Sequence, residues 1–114
     1  MNIRFALAAA LAALVPLTVF AAGADLKGEP AAGYSFAAAH CSECHSVDSR
    51  TTPSNAKAGA PSFQNIADAK TTTAAGLYVF LVSQHTSMPQ FMIGEEDRQN
   101  VIAYIISLKG RGKT

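Results

Sequence analysis

The chain has 114 residues, of which nine are basic and eight acidic, and its formal net charge at pH 7 is +1. This balanced charge argues against nucleic acid or an anionic membrane surface as the partner. The length fits one small domain, and a chain of this size buries only about 60 to 65% of its unfolded surface. We therefore expect the fold to gain stability from a group other than its own side chains.

The N-terminus has the pattern of a secretory signal peptide, which we assign to residues 1–24. Arg4 precedes an Ala-rich apolar stretch over residues 5–20, and small residues follow where a cleavage site is expected. We predict cleavage after Ala24 or, as the alternative, after Ala21.

Export leaves one mature domain, residues 25–114, and favours the periplasm as its location. An uncleaved anchor is the alternative, but a spanning helix needs about 20 apolar residues. The apolar stretch is shorter than that and contains Pro16. We therefore expect no membrane span in the mature form.

Export also bears on the cysteines of the chain. In an oxidising compartment, two unmodified cysteine thiols are expected to close as a disulfide.

The first predicted helix runs from Pro30, since proline is favoured at the first helical position, to about His45. Small residues recur along it at spacings of four, four and three, and they are Gly33, Ala37, Cys41 and Cys44. Such a stripe lets another backbone come close.

The chain's only two cysteines lie in the sequence Cys41-Ser42-Glu43-Cys44-His45. Cys-x-x-Cys-His is the attachment signature of a c-type haem. Residues three and four apart are neighbours on a helix, so two thiols and one imidazole can meet a single macrocycle. We predict one covalent haem c, attached through Cys41 and Cys44, with His45 as an iron ligand.

Two other interpretations of this motif remain. A thioredoxin-like dithiol normally lies near a strand-helix-strand pattern, and no strong strand alternation precedes Cys41. A closed zinc site usually combines two cysteine pairs, or one pair with two spaced histidines. His85 alone does not complete such a set.

Apolar spacing predicts three more short helices after a polar loop over residues 46–60, so the fold class is all-α. The first follows Pro61, and the second begins after the cap hydroxyls of residues 71–73. Residues 77–82 could be a buried strand by periodicity alone, but no second strand is available to pair with it. The last helix begins near Glu95 and ends at Lys109-Gly110.

A haem iron held by His45 has one more axial position, and the ligand there separates electron transfer from ligand chemistry. The candidates are Met88, Met92 and His85. Met88 precedes Pro89, whose fixed φ can stiffen a loop that holds a weak thioether ligand. We therefore predict Met88 as the second metal ligand, with Met92 and His85 as alternatives.

These motifs together resemble a known family, the small bacterial class I cytochromes c. The resemblance rests on the haem motif and three later segments in the same order, Ala60-Pro61-Ser62-Phe63, Met88-Pro89-Gln90-Phe91 and Val101-Ile102-Ala103-Tyr104-Ile105. It covers essentially the whole mature chain. It implies a compact fold of about four short helices wrapped around one covalently bound haem.

The resemblance also implies particular contacts. The first and last helices would cross closely, with Gly33 at the contact and Tyr104 beside it. The carbonyl of Pro61 would accept a hydrogen bond from the second nitrogen of His45 and fix the orientation of the ring. Ala37 stands where larger members have an aromatic residue, and Phe36 is the candidate to compensate.

The expected function is that of a periplasmic one-electron carrier that cycles a His/Met-ligated haem between ferric and ferrous states, and not that of an enzyme. Its partners would be redox proteins that dock weakly through a small interface. We expect the basic tail, with Lys109, Arg111 and Lys113, to be solvated and frayed, and a part in the docking surface is the alternative. The alternative is a haem protein that binds small ligands or peroxide after Met88 dissociates, with Gln84 and His85 as distal donors. A haem-free thiol-disulfide oxidoreductase is a third hypothesis.

Overall fold

The computed structural model describes residues 27–84, 88 and 92–113, with the side chain of Lys113 excluded. The predicted signal peptide and its candidate cleavage sites lie outside these residues. The helices are α1 (Pro30–His40), α2 (Phe63–Asp68), α3 (Ala74–Val82) and α4 (Glu95–Ser107), with 3-10 turns at Ala56–Ala58 and Arg111–Lys113. The described part of the chain contains no β-strand. This confirms the all-α fold class.

The first helix is shorter than predicted, because it ends at His40 and not near His45. The Ser42 hydroxyl donates to the carbonyl of Ala38 at 2.7 Å. Its side chain thereby competes with the backbone for that acceptor. The amide of His45 still donates to the carbonyl of Cys41 at 2.9 Å, so the haem motif forms one further turn after the helix.

The close crossing of α1 and α4 organises the fold. A Cβ atom built on Gly33 would lie 1.9 Å from the carbonyl oxygen of Asn100 and 2.9 Å from the Cβ of Tyr104. Only glycine therefore permits this approach. The side chain of Asn100 also accepts a hydrogen bond from the amide of Glu29 at 2.8 Å. The crossing implied by the resemblance is confirmed.

Ala37 is completely buried beside this crossing. The aromatic residue at the contact is Tyr34, whose ring meets that of Tyr104 edge-on at 5.4 Å between centroids. Phe36 instead lies against the imidazole of His40 at 4.5 Å between centroids. The ring contact to α4 is therefore that of Tyr34, while Phe36 packs partly against the core cluster.

The two middle helices begin at hydroxyl caps. Ser62 accepts from the amide of Asn65 at 3.1 Å, and Thr73 accepts from the amide of Gly76 at 3.0 Å. Both contacts satisfy amides that a helix start leaves without partners. The alternative of a strand over residues 77–82 is thus wrong, because these residues are helical.

The core cluster joins α1, α2 and α4 with one loop residue, and its members are Ala37, Val47, Phe63, Ala67, Val101, Tyr104 and Ile105. Helix α3 contributes no fully buried residue, although Leu77 and Leu81 pack partly against the cluster. Val79, Phe80 and Val82 are about half exposed or more. None of the described helices is both long and apolar enough to span a membrane.

Residues 109–112 are exposed, which confirms the predicted solvation of the tail, but its backbone is bonded to α2, so the predicted fraying is wrong for the described residues. The amide of Gly110 donates to a carboxylate oxygen of Asp68 at 2.8 Å, and the Gln64 amide group donates to the carbonyl of Leu108 at 2.9 Å. These long-range bonds fix the chain beyond α4.

Candidate functional site

The haem motif occupies the turn between α1 and the loop over residues 46–60. Cys41 and Cys44 are both half-buried and free of any disulfide. Cys41 packs against the core cluster. Burial raises the pKa of its thiol to about 11. Redox dithiols instead depend on a thiol with a lowered pKa, so this environment argues against thiol-disulfide exchange at Cys41.

The orientation of His45 is fixed by Pro61. The Nδ1 atom of His45 lies 2.7 Å from the carbonyl oxygen of Pro61, in the arrangement that the resemblance implies. Because a carbonyl can only accept, Nδ1 carries the proton of the neutral ring and the lone pair lies on Nε2. The ring also contacts Phe63, with centroids 5.4 Å apart. A histidine held in this way presents one defined nitrogen to a metal.

Two cavities meet at this motif, and four residues line both of them, namely Cys41, His45, Phe80 and Met88. The first has a volume of about 340 Å³. Its wall is mostly apolar and includes Leu77, Leu81, Ile93, Val101 and Ile105. The second has a volume of about 320 Å³ and extends past Cys44 to Gly59 and Pro61. Both volumes lie in the range typical of small-molecule sites.

These features fit a haem. The four shared residues provide a thiol, an imidazole and a thioether at the boundary of the two cavities, and Cys44 adds a second thiol at the wall of one. An apolar macrocycle requires an apolar wall of this kind. Sequence reasoning missed Phe80 and Ile93 as wall residues, because an apolar run does not show which members face a cavity.

The three candidates for the second axial ligand differ in position. Met88 is half-buried and lines both cavities. Met92 is fully exposed and lines neither cavity. His85 lies outside the described residues. Of the two methionines, only Met88 faces the space beside His45.

A network of hydrogen bonds holds the loop that follows His45, and sequence reasoning missed its central residue, Asp48. The carboxylate accepts from the hydroxyl of Thr51 at 2.7 Å and from that of Tyr34 at 2.9 Å. These bonds, led by that from Thr51 and joined by the amide of Arg50, hold the pKa of Asp48 far below its ordinary value. The pattern of Asp followed by Thr three residues later, in a turn, could have indicated it.

The zinc interpretation receives no support from the described residues, which contain no group of three or more His, Cys, Asp or Glu side chains able to hold a metal ion. Within the motif, His45 is the one histidine beside Cys41 and Cys44 that could bind a metal ion.

Comparison with known proteins agrees with this geometry. The family model described as Cytochrome c matches residues 30–109, which span α1 to the end of α4 and include the haem motif. No curated protein and no solved structure matches the chain. The chain therefore belongs to the cytochrome c family, whose members transfer electrons through a covalently bound haem.

Proposed function

We propose that this protein is a periplasmic one-electron carrier with a single haem c, ligated by His45 and Met88. The observation that carries the proposal is that Cys41, His45 and Met88 line both cavities at the motif. His45 presents Nε2 because Pro61 holds Nδ1. Met88 supplies a thioether, and a His/Met pair favours a raised reduction potential in electron carriers.

Each residue of the site has a defined task in this proposal. The thiols of Cys41 and Cys44 form the two covalent links. The apolar wall formed by α3 and α4 keeps water from the macrocycle, which tunes the potential and leaves no space for substrate. When bound, the haem supplies the one-electron chemistry.

Electron exchange with a partner requires a surface where the haem comes near solvent. Phe80 lines both cavities and is itself 51% exposed. We place the exchange surface here, and redox proteins dock there weakly and briefly, as small interfaces of electron carriers do.

The direct test is the absorption spectrum of the exported protein, oxidised, reduced and under carbon monoxide. A low-spin spectrum with a sulfur-to-ferric-iron band and no carbon monoxide response is expected. Met88→Ala should abolish the band and admit carbon monoxide, whereas the control Met92→Ala should leave both unchanged. A wild-type response to carbon monoxide would refute the carrier and favour ligand binding or peroxidase-like chemistry.

Attachment and location are tested separately. Cys41→Ala and Cys44→Ala together should abolish covalent haem, as shown by haem staining after denaturing electrophoresis. The mature protein is expected in the periplasmic fraction, with Asp25 or Ala22 as its first residue in N-terminal sequencing. Haem that stays attached to the double variant would contradict the assignment of the thiols.

A further inference from the structure

Three side chains join the helices on either side of the Met88 segment, which is residues 83–94 between α3 and α4. They are Tyr78 on α3 and Glu95 and Arg98 on α4, and we refer to them as the clamp. The hydroxyl of Tyr78 donates to the carboxylate of Glu95 at 3.1 Å. Arg98 forms an ion pair with the same carboxylate oxygen, and its guanidinium carbon lies 5.3 Å from the centre of the Tyr78 ring.

Arg98 also holds the Met88 segment itself. Its Nη2 donates to the carbonyl of Ile93 at 2.7 Å. Ile93 is 7% exposed, and its side chain lines the same cavity as Met88. The hydrogen bond therefore fixes the end of the segment and a piece of the cavity wall together.

The contribution of the clamp to overall stability should be small. The Glu95 side chain, which pairs with Arg98, is 60% exposed, and an exposed ion pair typically contributes about 0.2–1 kcal/mol. The Arg98 side chain is only 15% exposed, and its Nε is buried with no hydrogen-bond partner in the part of the chain that the structure describes. An unsatisfied buried donor is costly. Global stability alone does not account for an arginine here.

The place of Arg98 beside the Met88 segment accounts better for the presence of an arginine. A segment whose two stems are held together samples fewer conformations than one with free stems, because its ends are already closed. A weak thioether ligand competes with other ligands for iron, and its apparent affinity rises with the fraction of time that its segment is in place. The clamp joins both stems and also bonds to the segment at Ile93.

We propose that Tyr78, Glu95 and Arg98 act as positioning residues that keep Met88 at the iron. The proposal rests on the proposed function, since it requires Met88 to be the ligand. In this proposal the clamp limits the binding of external ligands at the site. The redox chemistry remains that of the haem.

The test uses the haem-loaded, exported protein and imidazole as the competing ligand. The dissociation constant of imidazole is measured on the ferric protein, together with the sulfur-to-iron band and the urea unfolding free energy. Arg98→Met should tighten imidazole binding about tenfold, the loss expected of one charge-assisted hydrogen bond. Tyr78→Phe should tighten it about threefold. Tyr78→Phe retains the ring beneath the guanidinium, so it tests the clamp even if Arg98→Met does not fold.

The matched control is Arg50→Met, which removes the same charge from an ion pair with Asp48 that does not involve the Met88 segment. Imidazole binding to this variant should stay within about twofold of wild type. Unchanged binding in both clamp variants would overturn the proposal. The proposal would also be overturned if imidazole binding tightened as much in Arg50→Met as in Arg98→Met.

A double variant separates this proposal from the one it rests on. In a Met88→Ala background the site is already open, so Arg98→Met should not tighten imidazole binding further. A further tenfold effect would show that Arg98 acts on the cavity and not through Met88, which overturns the clamp alone. If Met88→Ala itself leaves imidazole binding and the spectrum as in wild type, the ligand assignment is what fails.

Discussion

Replacing Gly33 by alanine should separate the first and last helices. The added methyl group would lie 1.9 Å from the carbonyl oxygen of Asn100, and real Cβ atoms stay at least 3.0 Å from such atoms. The helices must therefore move apart by about 1 Å, since neither backbone can yield locally. That movement weakens the edge-on contact between Tyr34 and Tyr104 and the bond from Glu29 to Asn100.

The expected cost follows from these contacts. Overpacking in a tight interior costs up to about 3 kcal/mol, while alanine returns about 1 kcal/mol of helix propensity relative to glycine. We expect a net loss of about 2 kcal/mol in the unfolding free energy. For a domain with a total stability of about 5–15 kcal/mol, this is a large fraction.

Gly76 in α3 provides the matched control. A Cβ atom there would meet only the hydroxyl of Thr73, at 3.1 Å. Gly76→Ala should therefore change stability by less than about 1 kcal/mol in either direction, because the gain in helix propensity is offset where the Thr73 hydroxyl that caps the helix must shift by a few tenths of an ångström. Both variants are unfolded in urea as haem-loaded proteins, with helix content followed by circular dichroism. A Gly33 variant as stable as wild type would refute the reasoning from the close crossing.

Three further changes test hydrogen bonds around the loop and α2. Tyr104→Phe leaves the carbonyl of Val47 without its donor, which lies at 2.8 Å in the core, and should lower the urea unfolding free energy by about 1–2 kcal/mol. An unchanged value would mean that the carbonyl finds another donor. The lowered pKa of Asp48 gives stability that is present above about pH 4 and is lost as the pH falls further. Between pH 4 and 2 wild type should lose more unfolding free energy than Asp48→Asn, and parallel profiles would contradict this. Ser62→Ala removes the cap of α2 and should cost about 1 kcal/mol in the same assay, with no cost if the cap is replaced by water.

The sequence predicted those features that depend on local spacing. The cap hydroxyls of Ser62 and Thr73 precede apolar periodic segments, and both helices begin there. The meeting of Gly33 and Tyr104 at the helix crossing, in contrast, was predicted from the resemblance to the cytochrome c family. For the two caps and for Gly33, the residue type nearly suffices to predict the contact, because few other residues satisfy the same geometry.

The features that the sequence did not predict depend on contacts between distant segments. The end of α1 at His40 reflects a side-chain bond made by Ser42. The packed tail depends on Asp68 and Gln64, which lie more than forty residues before their partners. Such contacts leave no periodic pattern in the sequence.

At the site, the sequence favoured Met88 over Met92 through Pro89, but it did not show where either side chain lies. Both methionines lie in the same short stretch of sequence, and only the fold places one against the cavities and the other in solvent. The clamp is a similar case, since Tyr78 and Arg98 lie on different helices. Their relation to the Met88 segment follows from the packing of α3 against α4.

The crossing of α1 and α4 also bears on the order of events during maturation. It joins residues such as Glu29 and Asn100, which are 71 positions apart, and a contact of such high sequence separation must close a long loop before it contributes to stability. Before α4 arrives, Cys41 lacks part of the core cluster that buries it, and its thiol should titrate near the ordinary value of about 8.5. In the folded chain a pKa of about 11 leaves almost no thiolate at neutral pH. The helix contact that completes the fold thus also completes the burial of this thiol, and we expect a Cys41 thiol on a chain that is still open to react more readily than one in the folded chain.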